Sequence, residues 1–184
     1  MYSVLGDSAG ARRWIAFYLE HRTGPDPEAD RISKSLEVTS LNDSALSLES
    51  AGDVAGAEGL FRRALNIAES ALGPDHPDTA GTVNNLASLL EAKGNYTDAE
   101  ALYRRALAIC ETRLGPDDPR TGRTLGNLAG LLAARGNYAA AAPLYHRALA
   151  VAEKTLGPDD PAAREIRESL DALTRKNREK EKSK

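Results

Sequence analysis

Residues 114–155 read LGPDDPRTGRTLGNLAGLLAARGNYAAAAPLYHRALAVAEKT, and residues 72–113 are a second copy of the same block. Between the two, 24 of 42 positions are identical without a gap. The opening hexapeptide Leu-Gly-Pro-Asp-His/Asp-Pro returns a third time at 156–161, again 42 residues further on. A fixed period of this length marks a tandem array, whose units cannot bury their apolar faces alone and must stack on neighbours. Such arrays present long surfaces to other molecules. The pattern therefore argues for a scaffold rather than an enzyme before any single residue is weighed.

Each block spells out two helices. Pro77 and Pro119 suit a first helical position, where their missing N–H would have been unpaired anyway. The residue before the proline is His76 in one block, Asp118 in the next and Asp160 in the third, and aspartate is the better N-cap. Val83, Leu86, Ala87 and Leu90 then recur at spacings of 3, 4 and 7, the stripe of an amphipathic helix A. Gly94-Asn95 ends it, both residues tolerating positive φ. Helix B begins near Tyr96 and gathers Ala99, Leu102, Tyr103, Ala106, Leu107 and Cys110 on one face. Gly73, Gly115 and Gly157 follow the B helices, each just before a proline, as C′ glycines do.

The expected fold class is all-α, an array of antiparallel helix pairs. Ala87 with Ala99, and Ala129 with Ala141, fall where two helix backbones must approach closely. Ala45 and Ala57 hold the same places in a first, more degenerate unit, with Gly52, Leu60, Phe61, Ala64 and Leu65 in register. The array is expected over 31–173, with units at about 31–72, 73–114 and 115–156 and a capping helix at 161–173. Arg164, Glu165, Arg167 and Glu168 give that last helix the polar outer face a cap needs. Before the array, residues 1–30 carry Trp14, Ile15, Tyr18 and Leu19 at helical spacing, a divergent helix or N-terminal cap within 8–22. Thr-Gly-Pro-Asp-Pro at 23–27 echoes the linker, but Gly24 lies 49 residues before Gly73 instead of 42.

Composition fits this reading and narrows the function. Apolar residues make up 41 % of the chain, mostly Ala and Leu, with 5 % aromatic, which suits close-packed helices. The formal charge of −3 offers no basic field for nucleic acid. Residues 174–184 form a basic tail, expected to be mobile, with no aromatic side chain for base stacking. No apolar run approaches the roughly 20 residues of a membrane span, and no leader is visible, so a cytoplasmic location is expected. A single cysteine, Cys110, allows no intramolecular disulfide and reads as a small core hydrophobe.

At this point a resemblance can be stated. Leu125-x2-Leu128-Ala129-x2-Leu132 followed by Ala141-x3-Tyr145 resembles the tetratricopeptide repeat. The longer unit, with Asn84-Asn85-Leu86-Ala87 and Tyr103-x-Arg105-Ala106-Leu107, resembles the kinesin light chain type. The resemblance implies a right-handed superhelical array whose A helices line a concave groove. Outward polar residues of the A helices are then Asn42, Asp43 and Glu49, next Asn84, Asn85, Ser88 and Glu91, and last Arg123 and Asn127. Amides both donate and accept, which suits a peptide backbone. Asn85 and Arg123 match places where relatives hold a carboxylate or a peptide backbone. The first unit offers Asn42 and Leu46 where a full carboxylate clamp has lysine and asparagine, so capture of a terminal carboxylate is not expected. Gly126 and Gly130 follow Gly122 at intervals of four, one ridge along a helix A, and would let a ligand's main chain approach.

No Ser-His-Asp order, no His-Glu-x-x-His and no phosphate loop occurs, and Asp75, His76 and Asp78 read as capping residues rather than metal ligands. The chain is thus read as a non-enzymatic scaffold with no cofactor or metal, binding a peptide or helix in its groove. Its partners are expected to be protein, neither nucleic acid nor membrane, with the chain a monomer or a weak homo-oligomer through its end helices. The alternative is a structural or oligomerisation segment that stacks on further repeats or belongs to a larger signalling protein.

Overall fold

The same turn chemistry closes every helix pair. After helix A the Gly94 N–H donates to the Glu91 carbonyl (2.8 Å) and the Asn95 N–H to Leu90 (2.8 Å), with Gly94 at φ +80°. This double bond satisfies carbonyls that a helix end leaves open, and only glycine takes that φ without strain. Gly136 repeats it, donating to Ala133, while Asn137 donates to Leu132 (both 2.9 Å). Gly52 and Asp53 do the same for Glu49 and Leu48. Three residues then suffice to reverse the chain.

The computed structural model describes residues 26–182, together with Phe17 and Glu20. Its helices are α1 (Pro27–Ser50), α2 (Val54–Ile67), α3 (Pro77–Ala92), α4 (Tyr96–Arg113), α5 (Pro119–Ala134), α6 (Tyr138–Thr155) and α7 (Pro161–Lys182). A π-helical turn, Ala68–Leu72, extends α2. No strand occurs among the described residues. The fold is all-α. Phe17 and Glu20 are helical, and Trp14, Ile15, Tyr18 and Leu19 lie outside the described residues.

The chain forms two compact units, one ending at Pro74 and one beginning at Asp75. In the first, α1 packs on α2 and its π-helical extension. Val38, Ala64 and Ala68 centre its core, with Leu41, Ile67 and Leu72 against them. Helix α1 has 24 residues where α3 and α5 have 16. The displaced Asp-Pro at 26–27 opens it, the Asp26 carboxylate accepting from the Glu28 and Ala29 N–H groups at 3.0 and 3.3 Å. The surplus sequence thus lengthens a helix by eight residues, about two turns, and does not form a loop.

In the second unit α3 pairs with α4, α5 with α6, and α7 lies along α6 and touches α5. The small residues sit where the repeat pattern requires them. Ala87, Ala99, Ala129 and Ala141 are all fully buried, as are Ala45 and Ala57 in the first unit. The helix-B aromatics Phe61, Tyr103 and Tyr145 are buried at equivalent positions. Cys110 packs with Ala80 and Ile109. The helix expected at 161–173 continues to Lys182.

The caps differ from expectation at one point. Asp118 accepts the Arg120 N–H at 2.8 Å, as its sequence position predicts. His76, read as the weaker cap, also accepts, through Nδ1 from the Asp78 N–H at 3.2 Å, which places the ring proton on Nε2. Asp118→Ala is therefore expected to cost about 0.5–2 kcal/mol. His76→Ala, losing a neutral bond, should cost about 0.5–1.5 kcal/mol and not a negligible amount. Partial burial opposes ionisation of Asp118, but the Arg120 main chain and guanidinium outweigh it and hold its carboxyl below the usual range. Its folded pKa is depressed, so its contribution is present at neutral pH and is lost as pH falls through that lowered value. Chemical denaturation of both variants at neutral and acidic pH checks the ranking.

Candidate functional site

A cleft of about 600 Å³ opens on the second unit and is lined from five helices. Its floor is α5, where Gly126 and Gly130 expose backbone and Gly122 lies buried against Val151 of α6, with Ala148 beside them. Ser88 and Glu91 come from α3, Tyr103 from α4, Tyr145 from α6, and Glu165, Ile166 and Ser169 from α7. Arg123 and Asn127 stand on α5 at its rim.

The glycines have unequal environments. A Cβ built on Gly122 would lie 2.7 Å from Val151 Cγ1 and 3.0 Å from its Cβ, so α5 and α6 touch there through glycine alone. At Gly126 the nearest atom is Ala148 Cβ at 4.0 Å, and at Gly130 it is the Tyr145 hydroxyl at 3.4 Å. The first glycine is a packing requirement. The other two leave room.

The polar groups are arranged around two tyrosine hydroxyls. Tyr103 donates to Glu91 Oε2 at 2.9 Å. Burial pushes the Glu91 carboxyl above its ordinary range, opposed in part by that hydrogen bond. Burial likewise pushes the Tyr145 phenol up. A hydrogen bond with Ser169 opposes this, and the nearby charges of Glu91 and Glu165 add to it.

Of the residues singled out in the sequence, Ser88, Arg123, Gly126, Asn127 and Gly130 line this cleft. Asn84 does not face outward: it is 3 % exposed, and its Oδ1 accepts from Asn127 Nδ2 at 3.2 Å, tying α3 to α5. The neighbouring helix A covers α3 at that level, which the helical period alone does not reveal. Asn85 is partly buried outside the cleft lining. Asn42 belongs to the first unit, where its Nδ2 donates to the Val38 carbonyl at 3.0 Å. The cleft adds Tyr103, Tyr145, Glu165 and Ser169. The two tyrosines read as core aromatics because they are buried, yet both line the cleft. Glu165 read as part of the polar face of a cap, and Ser169 was not singled out.

Among the described residues no three His, Cys, Asp or Glu side chains are grouped to hold a metal. No described helix is long and apolar enough to cross a membrane.

The geometry defines a class, a tandem helix-pair repeat with an open cleft beside its A helices. The tetratricopeptide repeat model matches residues 36–112, 79–154 and 121–170, and the chain belongs to that family. No curated protein sequence matches it. Its fold is similar to that of BtubC (BKLC) from P. vanneervenii, with a TM-score of 0.68 at 22 % identity. That likeness covers 92 % of this chain, which spans 66 % of the length of BtubC. A P. anserina protein of nearly identical tetratricopeptide-like repeats, assigned to the kinesin light chains, has a TM-score of 0.64 at 20 % identity, covering 93 % of this chain and 77 % of that one. The tetratricopeptide domain of Sgt2 from Aspergillus fumigatus follows at 0.59 and 19 %, covering 79 % and 82 %. The repeat is therefore tetratricopeptide in fold, like that of these structures. Proteins built from it are in general non-enzymatic scaffolds for protein–protein interaction.

Proposed function

We propose that the chain binds an extended peptide segment of a protein partner in the cleft of its second unit. The observation that carries this is the cleft itself: about 600 Å³, within the roughly 300–1,000 Å³ of ligand sites, with a bare-backbone floor and convergent hydroxyl, amide and charged groups. An extended strand fits better than a helix. A helix about 10 Å across would exhaust that volume within about one and a half turns.

Panning a random dodecapeptide phage library against the full chain tests the reading. Ser88 lies exposed on the cleft lining, so Ser88→Trp narrows the cleft without disturbing the core. Recovered peptides are expected to bind that variant at least roughly tenfold more weakly at an unchanged melting temperature. Peptides that bind both chains equally would place the site elsewhere. Asn127→Ala is a poor probe, since it strands the buried Asn84 amide at a cost of about 1–3 kcal/mol.

A further inference from the structure

The cleft is not chemically uniform, and its most buried charge is negative. Glu91 is half-covered on α3 and receives one hydrogen bond, from the Tyr103 hydroxyl. Glu165 reaches the same neighbourhood from α7, close enough for both carboxylates to oppose ionisation of the Tyr145 hydroxyl. Neither glutamate is ion-paired among the described residues. A carboxylate removed from water without a cation is an unfinished arrangement, because desolvation is costly until an opposite charge offsets it.

We propose, resting on the peptide-binding reading above, that the cleft selects a basic side chain of the bound segment, a lysine or arginine whose cation lodges between Glu91 and Glu165 beside the Tyr145 hydroxyl. The chemistry on each side matches. An ammonium has three donors and a guanidinium five, and the two carboxylates with the Tyr145 and Ser169 hydroxyl oxygens supply acceptors. The missing side chains at Gly126 and Gly130 leave a floor along which the apolar stem of lysine or arginine can lie.

The rival is an acidic peptide held by Arg123, which lines the same cleft from α5. Arg123 is exposed, so its field is weakened by water and salt. Glu91 is half-covered, where a charge pair counts for more. The basic occupant is therefore favoured. The desolvation of Glu91 has a further consequence. Its folded-state pKa is raised, so the free chain loses stability as pH climbs from the ordinary carboxyl range through that raised value. Glu91→Gln removes this loss and keeps an acceptor for Tyr103, so at neutral pH it should raise stability while lowering affinity.

The experiment is the library selection on the full chain, repeated with the E91Q/E165Q variant and with R123A. Peptides recovered by the parent chain are expected to be enriched in lysine or arginine. Their synthetic forms should bind E91Q/E165Q at least roughly tenfold more weakly, and R123A within about twofold. Replacing the basic residue of the peptide by glutamine should reproduce the loss. Glu165→Gln alone, at an exposed position, keeps the test open if the double variant folds poorly. Acidic peptides that depend on Arg123, or basic peptides that hold full affinity for E91Q/E165Q, overturn the inference. Peptides without a basic preference that still lose binding to Ser88→Trp overturn it too, but leave the peptide-binding reading standing. Peptides indifferent to Ser88→Trp, or no enriched sequence at all, overturn both.

Discussion

Deleting residues 161–184 is expected to lower the melting temperature by roughly 10–20 °C, or to yield aggregates, because it strips a helix from the face of α6. Helix α7 buries Ala163, Leu170 and Leu173 and packs along α6. Each large apolar side chain returned to water costs roughly 1.5–3 kcal/mol, and the α6 surface beneath is exposed as well. The sum rivals the roughly 5–15 kcal/mol that holds a domain together. The Tyr145–Ser169 hydrogen bond and the Glu153–Arg167 ion pair (2.6 Å) go with it. The outer side of α7 carries exposed Arg164, Glu168, Asp171 and Arg175, as a cap does. A truncated chain that melts at the parental temperature and sediments as clean monomer would show that α7 does not serve as one.

Gly122→Ala is expected to destabilise the second unit by about 1–3 kcal/mol, although alanine is the better helix former. The new methyl would meet the β-branched Val151 at 2.7 Å, and a valine on a helix has little freedom to turn away. Gly126→Ala meets only ordinary contact and should stabilise by about 0.8–1 kcal/mol, with Gly130→Ala next in order. Val151→Ala makes the test sharp. In that background Gly122→Ala should turn from destabilising to stabilising, and a double-mutant cycle by urea denaturation reads the coupling. If Gly122→Ala stabilises the parent chain, the close contact between α5 and α6 is not a constraint.

Much of the architecture was legible because its signals repeat. Pro77, Pro119 and Pro161 each begin a helix, and Gly94 and Gly136 each end one, at the residues the period predicts. The buried alanines follow from the same count. The first helix was harder to read. Its surplus residues carry no break, so only the Asp-Pro at 26–27 marks where it starts. The cleft was half legible. Helical spacing says which residues share a face, but not which part of that face the next helix covers. Asn84 and Ser88 are one turn apart, yet the first is buried against Asn127 and the second is exposed. Nor does spacing show that a core tyrosine keeps its hydroxyl in an opening, as Tyr145 does. Pairing across 43 residues is a tertiary fact with no local trace.

The two aligned blocks carry a built-in control. Positions 80, 84 and 88 of α3 hold Ala, Asn and Ser where α5 holds Gly122, Gly126 and Gly130. Both helices have the same length and closing turn, so the molecule demonstrates that its scaffold accepts either set. Beside Ile109, a methyl at Ala80 is housed without collision; beside Val151, the hydrogen of Gly122 is all the gap admits. One block is thus the filled version of the other. What the copies share specifies the architecture, and where they part, as at these three positions, the face that each helix A presents can differ.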